Sequence, residues 1–365
     1  MPPESLEHAR ELVLKFGWNS TGYQILNPGF VLWFSSSGDA VVGYVRHNGV
    51  RVVGGAPICS KERLPAVAEA FENEASKGGE RVCYFGAGDR LEHLYRGASG
   101  YAEVTIGGEP VWDPHDWTKM VARHSSLRAQ LHRARNKGVS VSEWPAERAR
   151  NNPELRRCLN EWLRTRGLPP LHFMVETDTL SRIFDRRCFI AERKGTVAGF
   201  LIASPIPQRK GWLVEQIVRG DHAVNGTNEL MLDAAMHALI DSGSEYVTLG
   251  LAPLSRQAGS GHGDTPVWLS VLLAWMRAHG RRFYNFRGLE AFKAKFRPAR
   301  WDPVYAIVNE PQFSPVILYA IAGAFASGSP LALIAGALWQ AFTQEVTTAA
   351  SHATALVSSH HKLPQ

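Results

Sequence analysis

A glutamate and an arginine lie in the sequence VEQIVRG, at the end of an otherwise apolar strand. A carboxylate in such a strand is costly unless it is paired, and Arg219 follows Glu215 by four residues. Because side chains alternate along a strand, both groups are expected on one face. They are either a structural ion pair or the floor of a cleft, with Glu215 as base or amine anchor and Arg219 as anion clamp.

The segment after this strand carries Asn225 and Gly226 and opens a helix that contains Glu229. The start of a helix binds anions through its free N–H groups, so a phosphate is expected here. A Gly-rich loop at residues 255–264 follows the next strand and is expected to be a mobile lid over the same cleft. His262 in this loop is expected to be solvated rather than catalytic.

A basic stretch between residues 277 and 300 holds eight Lys or Arg residues against one acid, with aromatic residues interleaved. Cations beside flat rings suit phosphate binding and base stacking. Most of these rings are expected to be core, with charges at the rim. A functional role is expected for at least one of Arg287, Lys293 and Lys295.

Residues 117–137 are predicted to form one long helix with a core-facing row of Leu127, Leu131 and Ala134. A second row on this helix is cationic, whereas solvated helices normally mix charges of both signs. The row is either a solvated face or a contact with phosphates of RNA or lipid. Its candidate tRNA or anionic-lipid contacts are Arg123, Arg128, His132 and Arg135.

The elements that position these groups alternate strands and helices in both halves of the chain. Each half is a meander of strands followed by helix, strand and helix, which predicts an α/β (or α+β) class with two similar mixed sheets. A turn-rich segment near residues 143–153 suggests the boundary. The predicted units are residues 1–145, including the basic helix, 146–310, an apolar segment 311–345 and a flexible tail 346–365.

Composition narrows the class of protein. The 365 residues are 45% hydrophobic and 20% charged, which excludes a disordered or fibrous chain, and the net charge of +6 permits a polyanionic partner. Four scattered cysteines predict neither a disulfide scaffold nor a metal cluster. The sequence lacks the motifs of zinc proteases, G-x-S-x-G hydrolases, P-loop enzymes and dinucleotide-binding folds. It also lacks the compact loop with which acetyl-CoA-dependent acetyltransferases hold pyrophosphate.

The segment from residue 311 to 344 contains 34 residues without one Asp, Glu, Lys or Arg. Two apolar pieces, 315–326 and 330–342, are separated by Ser327-Gly328-Ser329. Each piece is shorter than the roughly 20 residues of a membrane-spanning helix. The segment either contacts a membrane, as a hairpin or an interfacial pair, or packs on the core or on a second subunit.

Four segments together resemble a known family: SLRAQLHRARNKGV, GWLVEQIVRG, VTLGLAPLS and FYNFRGLEAFKAKFRPARWDPVYAIV. They resemble the C-terminal catalytic domain of the lysylphosphatidylglycerol synthases, the multiple peptide resistance factor family, over roughly residues 20–310. The resemblance implies two tandem GNAT-like folds. It implies transfer of an aminoacyl group from aminoacyl-tRNA, the co-substrate, to a hydroxyl of phosphatidylglycerol at the cytoplasmic face of the membrane, reached through residues 315–342. No metal or other cofactor is implied.

On this resemblance, candidate catalytic residues are Glu215, Arg219 and Lys295. The candidate substrate-binding residues are Gln216, Asn225, Gly226, Glu229, Ser255, Arg287 and Lys293. Gln216 stands where the family has an acid, so the transferred amino acid is open, as is the oligomeric state. Two alternatives remain: acyl or aminoacyl transfer to a peptide, glycan or small amine, and a non-catalytic protein that binds RNA or a membrane surface.

Overall fold

The computed structural model describes residues 3–165, 173–174, 178–257, 259, 269–270 and 286–325. The α-helices are α1 (Pro3–Phe16), α2 (Leu64–Lys77), α3 (Asp89–Tyr95), α4 (Trp117–Arg123), α5 (Ser125–Asn136), α6 (Ala146–Ala149), α7 (Pro153–Arg164), α8 (Thr227–Asp241), α9 (Phe286–Ala294) and α10 (Pro315–Phe325). Short 3-10 helices occupy Gly22–Leu26, Lys61–Arg63, Pro114–Asp116, Thr179–Arg182 and Pro207–Arg209.

The strands are β1 (Val31–Phe34), β2 (Val41–His47), β3 (Val50–Gly54), β4 (Arg81–Ala87), β5 (Ala102–Trp112), β6 (Val139–Trp144), β7 (Arg187–Arg193), β8 (Thr196–Ile206), β9 (Gly211–Arg219), β10 (Tyr246–Thr248), β11 (Ala252–Pro253) and β12 (Arg300–Val308). They form one sheet in the order β1-β2-β3-β4-β12-β5-β10-β9-β8-β7-β6, with β11 paired to β5. The predicted mixed α/β class is confirmed.

The two halves of the sheet repeat one pattern. In the first half β1, β2 and β3 are antiparallel, and α2 then carries the chain to β4, parallel to β3. In the second half β7, β8 and β9 are antiparallel, and α8 leads to β10, parallel to β9. The predicted succession of a strand meander, a helix and a strand is therefore present in both halves.

The last strands of the two halves are exchanged. β12 lies between β4 and β5, and β5 in turn pairs with β10 of the second half. Instead of two separate sheets, the described strands make one continuous sheet. The boundary near residue 145 stays a prediction, and the structure pairs β6, which precedes it, with β7, which follows it.

Helices cover the sheet through the apolar rows that the periodicity predicted. Leu127, Leu131 and Ala134 of α5 are buried in an apolar cluster that also holds residues of α8, β8 and β9. On α2, the row that ends in Phe71 and Ala75 is buried in a second cluster. The predicted core face of α5 is confirmed, and α2 buries its own row in the same way, because a helical period of apolar residues leaves one stripe to bury.

The predicted single helix over residues 117–137 is wrong. Its first part ends at Arg123, where His124 takes an extended conformation with φ −114° and ψ 97°, and α5 begins at the next residue. The last carbonyl groups of a helix lack partners within it. Arg128 supplies one, because its guanidinium donates to the carbonyl oxygen of Ala122.

Only the start of the uncharged C-terminal segment lies in the described residues. There α10 packs on β2 and β3, and its Ile317 and Ala320 are fully buried. Gly323 approaches His47 so closely that a Cβ at this position would lie 2.3 Å from the imidazole ring. No helix in the described ranges is both long and apolar enough to cross a membrane. The second apolar piece, 330–342, lies outside the described residues.

Candidate active site

A notch opens where β9 and β10 part. The parallel pairing between the two strands ends at Thr248 and Leu213, whereas β9 continues to Arg219. Ligands of open α/β sheets bind beyond the carboxyl ends of such strands. The notch therefore has the residues after β10 on one side and the second half of β9 on the other.

Glu215 is the extra residue of a β-bulge on the side of this notch. In the pairing with β8, Gln216 lies opposite Ile202 and Val214 opposite Ala203, so that Glu215 has no counterpart. A bulge re-aims side chains that would otherwise alternate. Glu215 and Gln216 accordingly both contact the same segment, through Arg186 and Thr179.

The partner of Glu215 is Arg186, and the predicted pairing with Arg219 is wrong. The Arg186 Nε atom lies 2.6 Å from Glu215 Oε1, and the two side chains are 2% and 7% exposed. Gln24 donates a second hydrogen bond to Oε2. A buried carboxylate needs such a complete set of partners, and this one has it on both oxygens.

Arg186 extends this contact into a buried polar network, here called the Arg186 network. Its guanidinium also donates to Asn27 Oδ1 at 3.1 Å and to the carbonyl oxygen of Arg182, and it lies 4.8 Å from the centre of the Tyr23 ring. The network fastens the 3-10 helix Gly22–Leu26 to β9. Glu215 thus holds the strand in place, and its catalytic assignment stays a prediction.

Arg219 is an exposed cation at the exit of β9, opposite Gly199 of β8. Within the described part of the chain, no acid or acceptor engages its guanidinium. The backbone just after it is fixed, since the N–H of Asp221 donates to Glu161 Oε2 at 3.0 Å. Arg219 is therefore an exposed cation beside a fixed backbone, and its guanidinium is open to an anionic ligand.

The start of α8 is built around Gly226. Its φ is +96°, and a Cβ here would lie 2.2 Å from the carbonyl oxygen of Gln130 on α5. Only glycine allows this conformation and this approach without strain. One turn later, Glu229 is buried and forms an ion pair with Lys295, which follows α9 and is 41% exposed. The structure thus unites two predicted site residues, while Asn225 stays exposed.

Lys293 is buried beneath the end of β10. Its Nζ donates to the carbonyl oxygens of Leu249, Gly250 and Leu251 at 2.7, 2.7 and 2.8 Å. Burial lowers the pKa of Lys293 to about 7. Because three carbonyl groups occupy the three N–H bonds of its ammonium form, this lysine shapes the loop after β10 and offers no free donor to a phosphate.

The remaining predicted substrate contacts are dispersed. Ser255 is buried and its Oγ accepts from the backbone N–H of Gln257 at 3.2 Å. Gln216 is buried and accepts from the Thr179 hydroxyl at 2.8 Å. Arg287, at the start of α9, is exposed. Most of the predicted lid, with His262, lies outside the described residues.

Some cations of the predicted basic surface are exposed, whereas others contact groups of the protein itself. Arg123 and His132 are exposed, but Arg128 folds back on α4. Arg135 donates to Asp233 at 2.8 Å, and this aspartate is 6% exposed. Arg135 therefore neutralises a buried acid while it stays half exposed, and the assignment of Arg128 and Arg135 to a tRNA or anionic-lipid surface stays a prediction.

Sequence reasoning missed Arg186 and also Glu109, a second acid in an apolar strand. Glu109 lies on β5 and is buried, and burial raises the pKa of its carboxyl group. The signal that identified Glu215, an acid among apolar strand residues, is equally present in AEVTIGGEPVW. Arg186 has no comparable signal, since its partner is distant in sequence.

Comparison with known proteins identifies the family to which this chain belongs. Residues 10–308 match the family model described as phosphatidylglycerol lysyltransferase, C-terminal. A phosphatidylglycerol lysyltransferase of Bacillus subtilis (strain 168) is 25% identical over 294 residues, which are 79% of this chain and 33% of that protein. The chain thus spans about a third of the length of this relative.

Two solved structures share the fold. The C-terminal domain of a putative lysylphosphatidylglycerol synthetase from Agrobacterium fabrum has a TM-score of 0.75 at 22% identity, covering 89% of this chain and 97% of that one. L-PGS from Bacillus licheniformis has a TM-score of 0.72 at 19% identity, covering 87% and 95%. With the family match over most of its length, the chain belongs to the family of phosphatidylglycerol lysyltransferase C-terminal domains.

Proposed function

We propose that this protein transfers an aminoacyl group from aminoacyl-tRNA to a hydroxyl group of a membrane lipid, with phosphatidylglycerol as the acceptor. The observation that carries the proposal is the family match over residues 10–308, and two exposed cations, Arg219 at the exit of β9 and Lys295 beside Glu229, support it. Relatives that match this chain are named phosphatidylglycerol lysyltransferase. The chain spans 33% and 36% of their lengths, so the activity of those whole proteins is part of the proposal.

The reaction needs orientation and charge stabilisation. The lipid hydroxyl oxygen attacks the carbonyl carbon of the aminoacyl ester, a new ester C–O bond forms, and the bond to the tRNA ribose oxygen breaks. The proton of the hydroxyl ends on that ribose oxygen. One ester replaces another of similar energy, so the protein has to align two substrates, relay one proton and stabilise an oxyanion.

The two exposed cations suit these tasks differently. Arg219 is exposed and has no partner in the described residues, which suits a phosphate of either substrate. Lys295 is held by Glu229 yet 41% exposed, so that its ammonium group is both positioned and accessible. Lys295 is the candidate for stabilising the oxyanion, and the Lys295–Glu229 pair for relaying the proton.

We assign the tRNA surface to the end of α4, to α5 and to the residue that follows α5. Arg123, His132, Arg133 and Lys137 are exposed there. Phosphate contacts of this kind supply most of the sequence-independent affinity for a nucleic acid. The lipid is reached from the cytoplasmic face of the membrane through residues 315–342, peripherally or by anchoring.

The test supplies mixed aminoacyl-tRNAs, charged with labelled amino acids, to the protein and phosphatidylglycerol liposomes. The expected result is label that becomes extractable into organic solvent and is lost when RNase precedes the reaction. Free labelled amino acids with ATP are the control for the donor, and liposomes of a lipid without a free hydroxyl control for the acceptor. No extractable label with any aminoacyl-tRNA would refute the proposal.

The matched variants are Arg219→Met and Arg123→Met, both exposed arginines. Arg219→Met is expected to reduce transfer by about 10²-fold, as for loss of one stabilising group. Arg123→Met is expected to weaken tRNA binding modestly and to leave the rate at saturating tRNA unchanged. Equal effects of the two changes on the saturated rate would remove Arg219 from the reaction.

A further inference from the structure

A cleft of about 350 Å³, here called the seam cleft, lies where the two halves of the sheet meet. It opens at the carboxyl end of β4 and the start of α3, and β5 and β12 form its other walls. Its charged lining residues are Asp89, Glu109, Arg209, Arg300 and Asp302.

The two arginines of the seam cleft are engaged by its two aspartates. Arg209 donates to Asp89 at 3.2 Å and lies 3.6 Å from Asp302. Arg300 donates to Asp302 at 2.8 Å. Glu109 forms no ion pair with any described residue. Its carboxyl group is therefore the charge of the lining that is left for a ligand.

Glu109 is 7% exposed, and its Oε1 atom accepts no hydrogen bond within the described structure. A buried acceptor without a partner is rare in native proteins and costs free energy. Because Glu109 lines the seam cleft, a ligand that donates a hydrogen bond there would supply the missing partner.

The missing donor is expected to carry a positive charge. Burial raises the pKa of the Glu109 carboxyl group, and it outweighs the opposite effects of two hydroxyl groups and two cations. These four groups are Ser20, Thr248, Arg209 and Lys293. They compensate only in part for the water that the carboxylate has lost. A charged donor compensates further, since a charge-assisted hydrogen bond is roughly twice as strong as a neutral one.

The rest of the lining suits the carbon atoms of a small ligand. Ala87, Pro303 and Val304 contribute apolar surface to the seam cleft. A hard metal ion would need several oxygen ligands, and the described residues contain no group of three or more His, Cys, Asp or Glu side chains that could hold a metal. An alkylammonium ion combines a charged donor with an apolar chain, whereas an anion would be repelled by Glu109.

We propose that the seam cleft binds a small organic ammonium ion, whose N–H group donates to Glu109 Oε1 and whose carbon chain lies against Ala87, Pro303 and Val304. The proposal does not depend on the proposed function and gives the seam cleft no role in aminoacyl transfer. Glu109 selects the ammonium group and not the molecule that carries it. A free alkylamine and the amino group of an amino acid both offer this group, and the experiment separates the two.

The experiment titrates the full chain at neutral pH with propylamine, as the propylammonium ion, in a calorimeter. Propylammonium is expected to bind, because it carries a charged donor and a short apolar chain. Two probes, 1-propanol, with a neutral donor, and tetramethylammonium, with a charge but no N–H group, are expected to bind at least tenfold more weakly, about 1.4 kcal/mol. Equal affinity for propanol and propylammonium would overturn the proposal. So would no binding of propylammonium, because water alone would then occupy the seam cleft.

Alaninamide distinguishes the two sources, since its ammonium group belongs to an amino acid derivative. It is expected to bind about as tightly as propylammonium, because Glu109 contacts the ammonium group alone. Binding of propylammonium without alaninamide would assign the seam cleft to free alkylamines. Binding of alaninamide without propylammonium would overturn the assignment to a plain ammonium ion.

Two variants locate the site. Glu109→Gln is expected to weaken propylammonium binding at least tenfold and at the same time to raise the melting temperature, because it removes a buried unpaired carboxyl group. A purely structural Glu109 would not move the two readouts in these opposite directions. Glu109→Asp keeps the charge but withdraws it by one methylene group, so its affinity is expected between the other two. Wild-type affinity in Glu109→Gln would overturn the proposal, and if this variant does not fold, the comparison of propanol with propylammonium decides.

Glu72→Gln is the matched control, a buried glutamate in another cluster that accepts hydrogen bonds from Tyr84, Tyr95 and Tyr101. It is expected to lower the melting temperature and to leave propylammonium affinity unchanged. An equal loss of affinity in Glu72→Gln and Glu109→Gln would overturn the assignment to Glu109. Because these titrations use neither tRNA nor lipid, a protein that labels no lipid would refute the proposed function and leave the ammonium site standing.

Discussion

Replacing Arg186 by methionine tests whether the Arg186 network or the sequence-predicted pair holds Glu215. The change removes a guanidinium that is 2% exposed and leaves the 7% exposed Glu215 with one hydrogen bond, from Gln24. Removing one partner of a buried ion pair typically costs about 3–5 kcal/mol. Asn27 also loses the donor to its Oδ1, which adds about 1 kcal/mol if no water replaces it.

The pair is then removed as a whole. Glu215→Gln with Arg186→Met retains an acceptor for Gln24 and leaves no buried charge, so we expect the double variant to recover at least about 2 kcal/mol relative to Arg186→Met. Urea unfolding followed by circular dichroism and tryptophan fluorescence measures both values. Coincident transitions in the two signals are required for the comparison.

Arg219→Met is the control for the alternative pairing. It changes an exposed side chain, so its unfolding free energy is expected within about 0.5 kcal/mol of wild type. A cost below about 1 kcal/mol for Arg186→Met would mean that this guanidinium does not hold Glu215. Equal costs for Arg219→Met and Arg186→Met would mean that Arg219 is the cation that holds it.

Three further changes have expected outcomes. Arg135→Glu places a second carboxylate beside buried Asp233 and is expected to cost roughly 2 kcal/mol in urea unfolding, whereas exposed Arg133→Glu stays within about 0.5 kcal/mol; equal costs would contradict the Arg135 pairing. Gly226→Ala is expected to cost at least about 1–3 kcal/mol, because of its positive φ and the close carbonyl group, and a stable variant would contradict the α5–α8 geometry. Burial raises the folded-state pKa of Glu109, so its contribution to stability is complete below the unfolded pKa and is lost as pH rises through the folded one. Glu109→Gln is therefore expected to stabilise more at neutral pH than near about pH 4, and the opposite order in unfolding at the two pH values would contradict the burial of this carboxyl group.

Local patterns in the sequence were sufficient to predict the secondary-structure elements and the faces that they bury. The row Leu127, Leu131 and Ala134 is buried because a helical period needs only its own residues to be recognised. The break at His124 was not predictable in this way. The break depends on Arg128, whose guanidinium donates to the carbonyl oxygens of Val121 and Ala122 at the end of α4. That contact exists only in the folded chain.

The candidate site shows the same limit. An acid in an apolar strand was recognised at Glu215, but its partner comes from a segment 29 residues earlier. The bulge at Glu215 interrupts the alternation of side chains along β9. It depends on the pairing register between β9 and β8, which the sequence of β9 alone does not determine. Glu229 and Lys295, 66 residues apart, are likewise joined only by the packing of α8 and the end of α9.

The position of β12 between β4 and β5 has a consequence for how the chain folds during its synthesis. Synthesis runs from the N-terminus, so β4 and β5 leave the exit tunnel long before β12, the strand that pairs with both. Until residue 308 is made, each of these two strands has an edge without its native partner, and such edges invite pairing with other chains. The nascent chain therefore carries unpaired strand edges during most of its synthesis, and a fragment that ends before β12 is expected to be prone to aggregation.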